Sequence, residues 1–144
     1  MVALAGKTIR PQMGELAEKI VAAVKAKEVY ALPNERPDID TEVSHTFEIH
    51  TLCPVTKNPQ EGSTLTITYV PKATVLDVIG LDAYLKRYRG GFKEDGEVVV
   101  REMEHLVQRV AEDCARWIGV EVETVAECVL TPKQKQRIIC RVKP

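Results

Sequence analysis

Two stretches of strict alternation limit what this chain can become. From Glu42 to Leu52, Val43, Phe47 and Ile49 fall on one side, and Glu42, Ser44, Thr46, Glu48 and His50 on the other. From Thr64 to Val70, Leu65, Ile67 and Tyr69 alternate with Thr64, Thr66 and Thr68. A period of two places successive side chains on opposite faces of a pleated strand, so both stretches are predicted as half-buried strands. Between them lies Cys53-Pro54-Val55-Thr56-Lys57-Asn58-Pro59-Gln60-Glu61-Gly62, a proline-bracketed loop with a thiol at its start and an acid near its end. Such a pair offers a nucleophile and a proton donor. The same residues also suit a packed thiol beside a polar turn.

The rest of the chain supplies helices and a second pair of strands. Residues 1–10 are expected to be loosely ordered. From Pro11 a helix is predicted, with Leu16, Ile20 and Val24 on one stripe. The breaker-rich run Leu32–Asp38 then reads as a linker. A short helix is expected from Leu76 to Tyr88, followed by a Gly90-Gly91 break. A long helix is expected from Glu97 to Ile118, with Val99, Met103, Leu106, Val110 and Cys114 at three- and four-residue steps and Gly119 as its stop. Two strands, Val120–Leu130 and Gln136–Lys143, complete the chain. The order strand, strand, helix, helix, strand, strand predicts an α+β unit: an antiparallel sheet with two helices on one face, plus the N-terminal helix. Residues 1–40 are expected to form that helix and linker, and residues 41–144 the main domain. The second face of the sheet is expected to be covered by self-association.

With 144 residues, 44% of them hydrophobic, the chain can bury a real core. No apolar run approaches the roughly 20 residues needed to cross a bilayer. The first ten residues lack the order of a secretory signal, so a cytoplasmic protein is expected. A net charge of −1 gives no global attraction to nucleic acid, and any such binding must come from local patches. Cys53, Cys114, Cys128 and Cys140 form no C-x-x-C pair and no zinc-ribbon spacing, which indicates neither a metal nor a disulfide framework. Cys128 and Cys140 are read as two packed thiols, with a facing pair across the last hairpin as the alternative. No Gly-rich phosphate loop, HExxH or GxSxG motif occurs.

The run His45-Thr46-Phe47-Glu48-Ile49-His50-Thr51-Leu52-Cys53-Pro54-Val55-Thr56 resembles the nucleophile region of QueF, the family of NADPH-dependent nitrile reductases of queuosine biosynthesis. So do Glu61–Pro71, then Leu81, Tyr84 and Leu85, and then Arg89 and Phe92-Lys93-Glu94-Asp95. The resemblance covers about residues 42 to 95. It implies the tunnelling fold (T-fold), whose units assemble into rings with sites between subunits. It implies that Cys53 adds to the nitrile of 7-cyano-7-deazaguanine as a covalent thioimide and that Glu94 holds the base. The proton-handling position falls on Gln60 by direct counting and on Glu61 with one residue added to the loop; Glu61 is preferred because an amide cannot transfer the proton. A histidine that often precedes the base-holding acid is Lys93 here.

One departure matters. The family signature E-S-K-S-L-K, whose lysines help bind NADPH, falls on Asp77, Val78, Ile79, Gly80, Leu81 and Asp82. An acid where a dinucleotide phosphate approaches is repulsive. This combination resembles the archaeal QueF-like amidinotransferases that make archaeosine. The reading it implies is attack by ammonia on a Cys53 thioimidate of 7-cyano-7-deazaguanine in tRNA, or of the free base, with no redox cofactor or metal. The alternatives are an NADPH-dependent nitrile reductase, a metal-dependent T-fold enzyme acting on pterin or GTP, and a non-catalytic ring-forming binding protein. Each site residue keeps a second reading. Glu61 also suits a solvated carboxylate, Glu94 a partner of a helix N-terminus, and Asp77 a site facing the ligand or away from it. His45 and His50 read as strand residues satisfied by their neighbours. Lys133, Lys135, Arg137, Arg141 and Lys143, with Lys86, Arg87, Arg89 and Lys93, are candidates for phosphate-contacting patches.

Overall fold

The alternating stretches pair as strands of one sheet. A computed structural model of the chain describes residues 13–90, 92–94, 97–100 and 102–144, and of 92–94 and 97–99 the backbone alone. The elements are α1 (Met13–Lys25), β1 (Ala31–Pro33), β2 (Val43–Glu48), β3 (Thr64–Tyr69), β4 (Thr74–Leu76), α2 (Val78–Lys86), β5 (Phe92–Glu94), β6 (Glu97–Val100), α3 (Met103–Ile118), β7 (Val122–Leu130) and β8 (Gln134–Val142). The fold is α+β with the element order of the T-fold. The predicted order of residues 1–10, and the helix start at Pro11, lie outside the described residues.

The central sheet runs β2-β3-β7-β8 and is antiparallel throughout. One row of paired residues, His45, Ile67, Thr124 and Cys140, crosses all four strands. Leu65, Ile67, Val122, Thr124 and Ala126 are buried on this face, and α3 packs on β7 and β8. Helix α3 buries Met103, Leu106, Val107, Val110, Ala111, Cys114, Ala115 and Ile118, which is one face of a 3.6-residue period. The Thr124 hydroxyl, fully buried, donates to the Val107 carbonyl at 2.9 Å, so the polar atom in the core is satisfied by the helix above it. Gly119 ends α3 at φ 68°, where a side chain would be strained, and its N–H donates to Ala115 O at 2.8 Å.

The opposite face is polar and largely paired within itself. Ser44 meets Thr68 at 2.8 Å and Thr46 meets Thr66 at 3.0 Å. Arg141 reaches Glu123 at 2.9 Å and Arg137 reaches Glu127 at 3.7 Å. Val125, Val129 and Ile139 lie on the same face, with Val129 and Ile139 37% and 42% exposed, so an apolar stripe runs beside the polar pairs.

Three further expectations change. The long helix starts at Met103, because Glu97–Val100 forms β6 and pairs with β5. A run of three valines favours extended backbone, and the fit of Val99 to the helical stripe is a coincidence of spacing. The predicted linker begins in a strand: β1 pairs with β4 as Ala31↔Leu76, Leu32↔Val75 and Pro33↔Thr74. Val29 is buried in the core just before it, and α1 lies against α2 with Leu16 and Ile20 half-buried and Val24 largely outside. In the last hairpin, Cys128 pairs with Gln136 and Cys140 with Thr124, so the two thiols do not face each other.

Candidate active site

Strand β2 stops at Glu48 because its partner β3 begins at Thr64, directly opposite. One more bond, Ile49 N–H to Ser63 O at 2.9 Å, extends the ladder before the chain turns away. Leu52 is buried as an anchor and Cys53 emerges half-exposed. The loop then folds back on itself. Lys57 N–H donates to Cys53 O at 2.9 Å, and the amides of Leu52 and Cys53 both donate to Asn58 O at 3.0 Å. Gly62, at φ 93°, turns the chain into β3.

The four thiols are thereby sorted. Cys114 and Cys128 are sealed in the core. Burial pushes the Cys114 thiol far up and that of Cys128 up to about 11, and it also raises Cys140. A group held protonated in this way supplies almost no thiolate at neutral pH. Cys53 differs in place: it is half-exposed at the start of a loop, one residue after Leu52, which lines a cavity.

That cavity, of about 60 Å³, is walled by Leu52, Leu65, Leu85 and Leu106, with His50, Asp82, Lys86 and Arg89 among its polar neighbours. Cys53 itself is not among its lining residues. The cavity is also far smaller than the several hundred Å³ of pockets that enclose drug-sized ligands.

Helix α2 is brought to the nucleophile by two ties. The Tyr84 hydroxyl donates to Asp113 on α3 at 2.6 Å. After the helix, Gly90 N–H donates to Thr51 O at 2.9 Å, two residues before Cys53. The segment after α2 is therefore held to the backbone just before the nucleophile loop. Glu94 ends β5, and its side chain lies outside the described residues, as does that of Lys93.

The other predicted site residues separate. Glu61 is exposed near the end of the nucleophile loop. Gln60 is half-buried, and its side-chain amide donates to Lys57 O at 2.6 Å and to Asn58 Oδ1 at 3.3 Å. Gln60 is thus part of the loop's own framework, while Glu61 is turned to solvent. Asp77 is buried as the N-cap of α2 and accepts from Gly80 N–H at 2.6 Å. Ile79 is 65% exposed, and Asp82 forms a surface pair with Lys86 at 2.9 Å. The start of α2 therefore presents a hydrocarbon and an acid, which does not fit the phosphates of a dinucleotide. Among the basic residues, Arg137, Arg141 and Lys86 are engaged by acids, whereas Lys133, Lys135 and Lys143 stand exposed. Asn58 is the residue that the sequence reading missed; its partners lie too far along the chain to leave a local signal.

His45 lies on the core side of β2. Its ring stacks with Phe47 and Tyr69 at centroid distances of 6.4 and 6.0 Å, and its Nε2 lies 3.4 Å from the Tyr69 hydroxyl. That hydroxyl already accepts from Leu76 N–H at 2.9 Å, so its own proton suits a neutral imidazole nitrogen. Burial lowers the His45 pKa. The unfolded chain consequently takes up the proton first, and stability falls as pH drops below about 6.5, the unfolded value. His45→Phe is expected to flatten this slope. Urea midpoints at pH 7.5 and 5.5 should differ more in wild type than in the variant.

No family model matches the chain. Among curated proteins, it is similar to the NADPH-dependent 7-cyano-7-deazaguanine reductase of Thermomicrobium roseum, with 33% identity over 84 residues. That alignment covers 58% of this chain and 65% of the relative, so the chain spans slightly less than two thirds of that relative's length. The protein of the same name from Anaeromyxobacter sp. is 33% identical over 98 residues, which cover 66% of this chain and 75% of that one.

Proposed function

The chain belongs to the QueF family of 7-cyano-7-deazaguanine reductases, and from that premise we propose that Cys53 adds to the nitrile carbon of a 7-cyano-7-deazaguanine base to give a covalent thioimide. One observation carries this reading: the half-exposed Cys53 stands at the start of a loop tied to β7 by the Gln60–Val129 bond, while Cys114 and Cys128 are buried in the core. In the step itself, a sulfur–carbon bond forms and one π bond of the nitrile breaks. The S–H bond of Cys53 also breaks, and its proton passes through the Glu61 carboxylate, the exposed acid of the same loop, to the nitrile nitrogen. Glu94 holds the base, and Asp77, at the start of α2, is proposed as a second base-binding acid.

Two fates of the adduct follow. The names of the relatives favour reduction with NADPH, which reverses the order of preference drawn from the sequence. The second reading, amidine formation, is supported by Ile79 and Asp82 at the start of α2, where the residues do not fit a dinucleotide. In that reading ammonia adds to the thioimide carbon, the carbon–sulfur bond breaks, the thiol of Cys53 is released and the product is the formamidine of archaeosine. The base would be carried in tRNA, with the exposed Lys133 and Lys135 as phosphate contacts. The small size of the cavity that Leu52 lines, and the absence of Cys53 from its wall, support a site completed by a second copy in a ring. We take residues 41–144 as the T-fold domain, residues 1–40 as an addition to it, and the cytoplasm as its location.

Intact mass after incubation with 7-cyano-7-deazaguanine tests the common step. The expected result is a gain equal to the whole base, because addition expels nothing. An adduct that disappears with NADPH oxidation identifies the reductase; one released by ammonia, with amidine as product, identifies the transferase. No mass gain with either free base or modified tRNA defeats both.

A further inference from the structure

The nucleophile loop is fixed from outside itself. Asn58 lends its carbonyl to the amides of Leu52 and Cys53, both at 3.0 Å. Its side chain faces the other way, toward Thr131 on the turn between β7 and β8, 73 residues along the chain. There Nδ2 donates to Thr131 O at 3.1 Å, and Oδ1 accepts from Thr131 N–H at 2.9 Å and from its hydroxyl at 3.3 Å. One carboxamide thus pairs with the donor and the acceptor of a single backbone residue, as a neighbouring strand would. A second staple lies at the far end of the loop. Gln60 N–H donates to Val129 O at 2.7 Å, and the buried Ser63 hydroxyl links Gln60 O at 2.8 Å to Val129 N–H at 2.9 Å. Between nucleophile and latch, Lys57 is held at φ 63°, a conformation that side chains disfavour and that persists where surrounding bonds over-determine it.

We infer that Asn58 is a positioning residue for Cys53: its clasp on Thr131 holds the backbone beneath the thiol, so that the last hairpin sets where the sulfur stands. The inference rests on the proposed role of Cys53 and adds a component that neither the loop's sequence nor its relatives' names contain. Asn58 touches no reacting atom. Its contribution is orientation, and misplacing a nucleophile by about 1 Å costs on the order of 100-fold in rate.

The experiment follows Cys53 in three ways in wild type, Asn58→Ala and Thr131→Ala. Asn58→Ala is expected to slow nitrile-adduct formation about 10- to 100-fold. Alkylation of Cys53 by iodoacetamide, which demands no fixed approach, should stay within about threefold of wild type. Amide hydrogen exchange in the segment 52–60 should quicken at least about tenfold, since both amides that Asn58 O accepts lose a fixed partner. Thr131→Ala keeps both backbone partners and should remain within about threefold on every readout. Equal adduct rates in wild type and Asn58→Ala overturn the inference, as does a parallel fall of alkylation and adduct formation, which would mean burial of the thiol rather than loss of orientation. If wild type forms no adduct, the proposed chemistry fails; exchange still decides the latch, and unchanged protection in Asn58→Ala overturns it.

Discussion

Cys53→Ala is expected to abolish the mass gain with 7-cyano-7-deazaguanine and to reduce turnover by at least about 1,000-fold, whichever fate the adduct has. Removing a covalent nucleophile takes away the step that divides a difficult reaction into two easier ones, and losses of this order or larger follow in other covalent enzymes. The substitution sits on a half-exposed loop position, so folding should be little affected and the unfolding free energy from urea titration should move by less than about 0.5 kcal/mol. Glu61→Gln gives the graded comparison. General acid catalysis contributes about 100- to 10,000-fold, so the adduct should still form, but slowly. Equal rates in Glu61→Gln and wild type would move the proton to another group. An adduct in Cys53→Ala, located by peptide mapping on Cys140, the other half-exposed thiol, would remove Cys53 from the chemistry altogether.

How far the sequence reached can be judged from particular residues. The alternation around Phe47 and Ile67 marked β2 and β3 because a strand's period is carried by its own side chains. The stripe of Met103, Leu106, Val110 and Cys114 marked α3 for the same reason. The short strands escaped. Leu32 pairs with Val75 and Phe92 with Val100, and in strands of three or four residues the pattern is too brief to declare a period. The phase of the last hairpin also escaped, since it depends on how Thr131-Pro132-Lys133 turns, and this decides that Cys128 meets Gln136. Asp77 did leave a legible signal: an Asp before an apolar run is a common helix cap, and it is buried in that capacity. In the site, the loop and its thiol could be read directly. What fixes the loop could not, because Asn58 beside a proline looks like any turn residue until Thr131 is folded against it.

Leu106→Ala is expected to cost about 2–5 kcal/mol of stability, the range for deleting a large buried aliphatic side chain. Set against a total of about 5–15 kcal/mol for a domain, that is a large share. Leu106 is 1% exposed on α3 and forms part of the wall between the helix and the cavity beside the nucleophile loop. The new void would join the existing one of about 60 Å³ rather than close up, which argues for the upper part of the range. Ile79→Ala is the control: with 65% of the residue in solvent, its removal should change the unfolding free energy by no more than about 0.5 kcal/mol. Indistinguishable midpoints for the two variants would mean that α3 does not seat on the sheet as described. Leu106→Ala also separates packing from chemistry. Leu52, on the same cavity wall, precedes Cys53 directly, so loosening that wall should slow adduct formation in the fraction that remains folded. The slot between Leu52 and Leu106 would then be a support of the sulfur's position, acting from the core side as Asn58 acts from the hairpin.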